Sequence, residues 1–98
     1  MKIKIFSFFP FFLFQYLKYY AIISEITLKQ AKMLLTDYSF ESFIIDKDLA
    51  KKLSELLNEE IEPSDPKNDY GEITLNDILL IIKSDPIRCF VCYFQEKD

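Results

Sequence analysis

The run Asp77-Ile-Leu-Leu-Ile-Ile82 constrains the fold more than any other stretch of the chain. A strand sends successive side chains to opposite faces, so an unbroken apolar strand needs cover on both sides. This run therefore predicts a central strand, and the rest of the chain must supply its neighbours. Asp85-Pro86 marks a turn directly after it, and Arg88–Phe94 reads as a returning last strand. At the other end, Lys2–Ser7 alternates Lys-Ile-Lys-Ile-Phe-Ser, the pattern of a strand with one buried face. Pro10 should interrupt pairing, and the β-branched and aromatic residues from Phe14 to Ile23 predict a second strand. A short helical turn around Phe11–Gln15 also fits the aromatic run.

Two helices lie between these strands. Thr27-x-x-Gln30 matches a capping box, in which the hydroxyl accepts from an amide of the first turn and the glutamine reaches back. Leu28, Ala31, Leu34 and Leu35 then share one face, predicting a helix over Leu28–Leu35 that stops near Asp37. After a short buried strand at Phe40–Ile45, Asp46 is placed to cap a second helix. Leu49, Ala50, Leu53, Leu56 and Leu57 recur at helical spacing, with Lys47, Lys51, Lys52 and Glu55 outside. Asn58 suits a left-handed C-terminal position. Residues 59–72 read as a polar connection, Ile73–Leu75 as a strand edge, and Gln95–Asp98 as a frayed tail. The expected fold is a single α+β domain over residues 1–98. It has one mostly antiparallel sheet of about five strands, with both helices packed on one face.

Composition narrows the chemistry. Of the 98 residues none is histidine, which removes the commonest general base and a common zinc ligand. The net charge is −4, unevenly spread: residues 1–24 carry Lys2, Lys4 and Lys18 and no acid, while all 16 acids lie beyond. The acidic part disfavours direct nucleic-acid binding and favours a basic partner. Cys89 and Cys92 form a C-x-x-C, but within a strand positions i and i+3 face opposite sides, so the sulfurs diverge and packing thiols are expected. No cofactor and no metal site is expected, calcium included, because the acids lack a spaced loop with the required glycine. Lys2 and Lys4 before a Phe-rich run imitate a targeting or membrane segment. Pro10, Gln15 and Tyr16 interrupt that run and Lys18 ends it too early to span a bilayer, so no membrane association is expected.

Two stretches together resemble one family. Ile26-Thr-Leu-Lys-Gln-Ala-Lys-Met-Leu-Leu35 is similar to the first helix of the viral ring nucleases of archaeal viruses, which act against type III CRISPR signalling. Phe40-Glu-Ser-Phe-Ile-Ile-Asp-Lys-Asp-Leu-Ala50, followed by Leu53-Ser-Glu-Leu-Leu57, is similar to that family's Phe-x-Ser-Ala-Ile-Gly-His-x-x-Thr-Ala block and the Leu-Ser-x-Leu-Leu after it. The start, Lys2–Pro10, looks like its first strand, and Asn76-Asp77 stands where the family has Gly-Asp. The resemblance covers most of residues 1–82. It implies a site where a helix N-terminus meets a cyclic oligoadenylate. The departures fall at that site: the family's glycine falls on Ile45, its histidine on Asp46, its threonine on Leu49 and its loop serine on Pro10. Arg88 matches a strand-end arginine, but the acid expected three residues later is Val91. Asp46 would cap the amides a phosphate needs, and Ile45 would block close backbone approach. The resemblance thus implies a frame without the family's catalysis.

In size, acidity and lineage the chain also looks like the small dimeric anti-CRISPR proteins of archaeal rod-shaped viruses that act on the type I-D effector. The expected function is stoichiometric inhibition in the host cytoplasm by binding a CRISPR effector subunit, the type I-D large subunit, without catalytic residues. The alternative is a diverged ring nuclease that degrades cyclic oligoadenylate. Glu55, Glu59, Glu60, Glu62, Asp65 and Asp69 are the candidate partner-binding residues, as a steering surface for a basic groove. Phe11, Phe12, Phe14, Tyr16, Tyr19 and Tyr20 exceed what two short strands can bury, and are the candidate interface of a twofold homodimer.

Overall fold

The computed structural model describes residues 2–10, 19–65 and 75–96. Five strands and two helices follow one another as β1 (Lys2–Phe6), β2 (Tyr19–Ile26), α1 (Leu28–Asp37), β3 (Phe40–Ser42), α2 (Lys47–Leu57), β4 (Asp77–Lys83) and β5 (Arg88–Glu96). The strands form one open sheet in the order β2-β5-β4-β1-β3, giving an α+β fold. The antiparallel ladders are the longer ones in total: β2 pairs with β5 from Tyr19↔Glu96 to Ile26↔Cys89, and β4 with β5 from Leu79↔Cys92 to Lys83↔Arg88. β1 runs parallel to both of its neighbours, β4 and β3.

The apolar run is indeed central. Leu79, Leu80, Ile81 and Ile82 are fully buried, and they divide alternately between two cores. On one face Leu80 and Ile82 join Ile3 and Ile5 beneath Ala31 and Leu35 of α1 and Ala50, Leu53 and Leu57 of α2. Both helices therefore sit on this face. Each fully buried leucine here contributes about 2 kcal/mol by removal from water. On the opposite face Leu79 and Ile81 join Phe6, Phe43, Cys92 and Phe94, with Phe8, Phe9 and Phe90 packed against them. Phe6 stacks on Phe43 at 5.1 Å, and Phe9 meets Phe90 at 5.4 Å. Segment Ser7–Pro10 thus folds back over the face that lacks helices, which explains why an unbroken apolar strand is stable there.

The helix boundaries follow local chemistry. The capping box of α1 is formed: Gln30 N donates to Thr27 Oγ1 at 3.1 Å and Thr27 N donates to Gln30 Oε1 at 2.9 Å. α2 ends at Asn58 in the left-handed region, with φ 53° and ψ 39°. Ser54 Oγ then ties the outgoing loop to the helix, donating to the Ala50 and Ile61 carbonyls and accepting from Ile61 N at 2.9 Å.

Three expectations are corrected or sharpened. The third strand is shorter than Phe40–Ile45, because ladder pairing stops at Ser42. Phe43 N still donates to Ile5 O at 2.8 Å, while Ile44 O accepts from Ser64 N at 2.7 Å, so the chain stays extended as it leaves the sheet. Leu75 lies in a turn before β4 and not in a strand. The last strand runs on through Gln95 and Glu96 instead of fraying there. The turn expected at Phe11–Gln15, the residues Ile73 and Thr74, and Lys97 and Asp98 lie outside the described residues. Among the described residues no helix is long and apolar enough to cross a membrane.

Candidate functional site

The resemblance implies a phosphate site at the N-terminus of α2. Asp46 is its N-cap, in extended backbone geometry. Its Oδ1 accepts from Asp48 N at 2.9 Å and from Leu49 N at 3.2 Å. The first-turn amides that would meet an anion are thus engaged by a carboxylate of the chain itself, and Asp48 adds a second acid to that turn. Ile45, just before the cap, is 40% exposed. Pro10 is fully buried and offers no hydroxyl.

The candidate acidic residues lie on α2 and on the segment that follows it. Glu55 is exposed on α2, whereas Glu59 is drawn back towards α1, accepting from Thr36 Oγ1 at 3.4 Å. Glu60 and Glu62 do come together. They line a polar depression of about 430 Å³ with Glu41 and Ser42 of β3, Phe40, Pro63 and Ser64. Glu41 is paired with Lys2 at 2.9 Å. Neither Glu60 nor Glu62 has a cation within salt-bridge distance among the described residues. Asp65 is exposed just beyond, and Asp69 lies outside the described residues. Sequence reading missed Glu41, since nothing local reveals that a β3 carboxylate faces a loop some twenty positions on.

The candidate aromatic interface is described only at its end. Phe11, Phe12, Phe14 and Tyr16 lie outside the described residues, Tyr19 packs against the core on the helix-free face, and Tyr20 is 59% exposed. On the helix side, beside β2, an apolar groove of about 450 Å³ runs between α1 and the sheet. Ile26 and Val91 form its floor, and the exposed Met33, Tyr38 and Tyr93 its walls. No sequence motif marks this groove, because it arises where α1 leaves part of β5 and β2 uncovered.

Two further features bear on chemistry. Arg88 Nε and Nη2 donate to both oxygens of Glu25 at 2.8–3.1 Å, clamping β5 to β2, and the guanidinium lies over Phe90. The carboxylate raises the Arg88 pKa, and it comes from a neighbouring strand rather than from the third residue along. The two cysteines face opposite ways as expected, Cys89 into the helix-side core and Cys92 into the other. Burial pushes both thiols up, Cys92 to about 11, which disfavours the reactive thiolate. Among the described residues no group of three or more histidine, cysteine or acidic side chains could hold a metal ion. No family model matches the chain, and none of the curated proteins matches it significantly.

Proposed function

We propose that the protein is a stoichiometric inhibitor that binds a protein partner, a CRISPR effector subunit, rather than a nuclease acting on cyclic oligoadenylate. The observation that carries this reading is Asp46. On a frame resembling the viral ring nucleases, the helix end that would receive phosphate carries a carboxylate hydrogen-bonded to the Asp48 and Leu49 amides. A second anion there would meet charge repulsion and occupied donors.

The acidic depression at β3 supports a basic partner. Glu60 and Glu62 line one depression with no salt-bridged cation among the described residues, so an incoming Lys- or Arg-rich surface gains charge-assisted hydrogen bonds there. The large subunit of the type I-D effector, whose nucleic-acid groove would be basic, is the partner this reading names.

The test is capture of purified type I-D effector subunits by the full chain, with and without Glu60→Lys and Glu62→Lys. The large subunit should be retained, and the double variant should lose at least about tenfold in affinity, roughly 1.4 kcal/mol, with most of the loss in association rate. Absence of any retained subunit overturns the partner. Linear product from cyclic tetra-adenylate, abolished by substitution at Asp46, overturns the reading as a whole.

A further inference from the structure

The apolar groove between α1 and the sheet shares no lining residue with the acidic depression at β3. Gln30, Met33 and Asp37 succeed one another at i, i+3 and i+7, so they form one stripe of α1 along it. Val91 of β5 lies beneath, packed against the helix-side core, so the floor of the groove is continuous with that core. Met33, Tyr38 and Tyr93 stand above the floor, 57%, 42% and 42% exposed. Methionine and tyrosine are the residues that protein interfaces enrich. Methionine adapts its shape, and tyrosine covers much area with few rotatable bonds.

We propose that this groove receives an amphipathic helix of a partner protein, one that carries a lysine or arginine beside its apolar stripe. The groove stands apart from the acidic depression, so either site can fail alone. Its openness argues against a small ligand. Such ligands have roughly 70–90% of their surface enclosed, and walls as exposed as these do not enclose one. The backbone argues against an extended peptide. β5 is hydrogen-bonded to β2 on one side and to β4 on the other, so the face of the sheet offers no free row of amides and carbonyls. An extended chain laid there would leave its own backbone groups without partners. A helix satisfies its backbone internally and needs only side-chain contact, which the stripe on α1 and the floor of the sheet supply.

Asp37 sets the charge of the occupant. Among the described residues it is the one charged group lining the groove, and the lysines of α1, Lys29 and Lys32, do not line it. It ends α1, whose last turn holds no basic residue. The negative end of the helix dipole favours a cation at that position, and here it meets a carboxylate instead. Asp37 is exposed and has no cation within salt-bridge distance among the described residues. The carboxylate and the helix end therefore add at one place on an apolar surface. An incoming ammonium or guanidinium relieves both, whereas an acidic helix is repelled.

The test selects peptides against the full 98-residue chain. Random peptides of about 14 residues, roughly four helical turns, are displayed on phage and selected for binding. The recovered sequences should hold apolar residues at helical spacing with lysine or arginine beside them. The chain has two methionines, Met1 and Met33, so methyl-13C methionine labelling makes Met33 a reporter of the groove. Its resonance should shift on titration with a recovered peptide. Asp37→Asn should weaken binding about fivefold, the scale of one exposed ion pair aided by a helix end. Met33→Glu, at an exposed position, should weaken it at least about tenfold while the circular dichroism stays native. Recovery of no binding peptide overturns the proposal. So do recovered peptides without a basic residue, or ones that bind Asp37→Asn as tightly as the wild type. Peptides lost on Glu60→Lys with Glu62→Lys but kept on Asp37→Asn belong in the acidic depression, and overturn it as well. A Met33 resonance that moves with protein concentration alone puts a second copy in the groove and overturns it too.

Discussion

Replacing Asp46 separates two roles that the carboxylate combines. Its Oδ1 accepts from Asp48 N and Leu49 N at 2.9 and 3.2 Å, and it is exposed to solvent. Loss of such a cap costs about 1 kcal/mol, within a range of roughly 0.5–2. The dipole contribution is only partly lost, because Asp48 remains in the first turn. Asp46→Ala should therefore lose about 1 kcal/mol, a fall in Tm of roughly 4–8 °C for a domain of this size. Asp46→Asn keeps an acceptor and should lose only a few tenths. Urea unfolding followed by circular dichroism, with an unchanged m-value, measures both. The same variants test occlusion of the anion site. In Asp46→Ala the two amides become available, so inorganic phosphate at ten times its Kd should return about 1.4 kcal/mol. The wild type should gain much less under identical salt. If Asp46→Asn is as damaging as Asp46→Ala, the hydrogen bonds are not the source of the stability. Equal stabilisation of wild type and Asp46→Ala by phosphate would refute the argument that Asp46 keeps phosphate out.

Two more outcomes follow from buried groups. Because burial raises Cys92 to about 11 and raises Cys89 as well, the folded state prefers the neutral thiols. That stability is complete below the unfolded thiol value and is lost as pH rises through the folded one; from about pH 9 to 11 the Cys92 share is about 2–3 kcal/mol. Urea midpoints over this range should fall less steeply in Cys92→Val, and a thiol reagent that labels the native protein as fast as the unfolded one would contradict the burial. Separately, Lys4 and Asp77 pair at 3.3 Å with side chains only 10% and 13% exposed. Asp77→Asn should cost about 3 kcal/mol, while the double change Lys4→Met with Asp77→Leu should lie near wild type in the same unfolding measurement.

What was legible in the sequence was local. The Thr27–Gln30 capping box, the Asp46 cap and the left-handed Asn58 each depend on residues within one helical turn, and all three are formed. The apolar run of β4 declared its centrality because alternation leaves a doubly buried strand no polar face. The order of the strands was not legible. Nothing near Lys2–Phe6 announces that it runs parallel to both neighbours, or that Tyr19–Ile26 skips past it to pair with the last strand. The same limit governs the candidate site. Glu60 and Glu62 were readable as acids, but their meeting with Glu41 is tertiary, as is the diversion of Glu59 to Thr36. The groove beside β2 was invisible because it is defined by where α1 ends its cover, not by any residue pattern.

The strand order carries a consequence for how the molecule assembles. β1 and β2 are neighbours in the chain, yet β4 and β5 lie between them in the sheet. The β4–β5 hairpin closes through a short turn, so it can form early from local contacts. β2 has no partner until β5 exists, and its pairing spans from Tyr19 to Glu96. The loop-closure entropy of that span is met before its contacts reward it. During synthesis β2 therefore waits for its ladder partner until β5 has emerged. Its apolar residues, Tyr20, Ile22, Ile23 and Ile26 among them, stay without that cover in the interval, when the chain is open to aggregation.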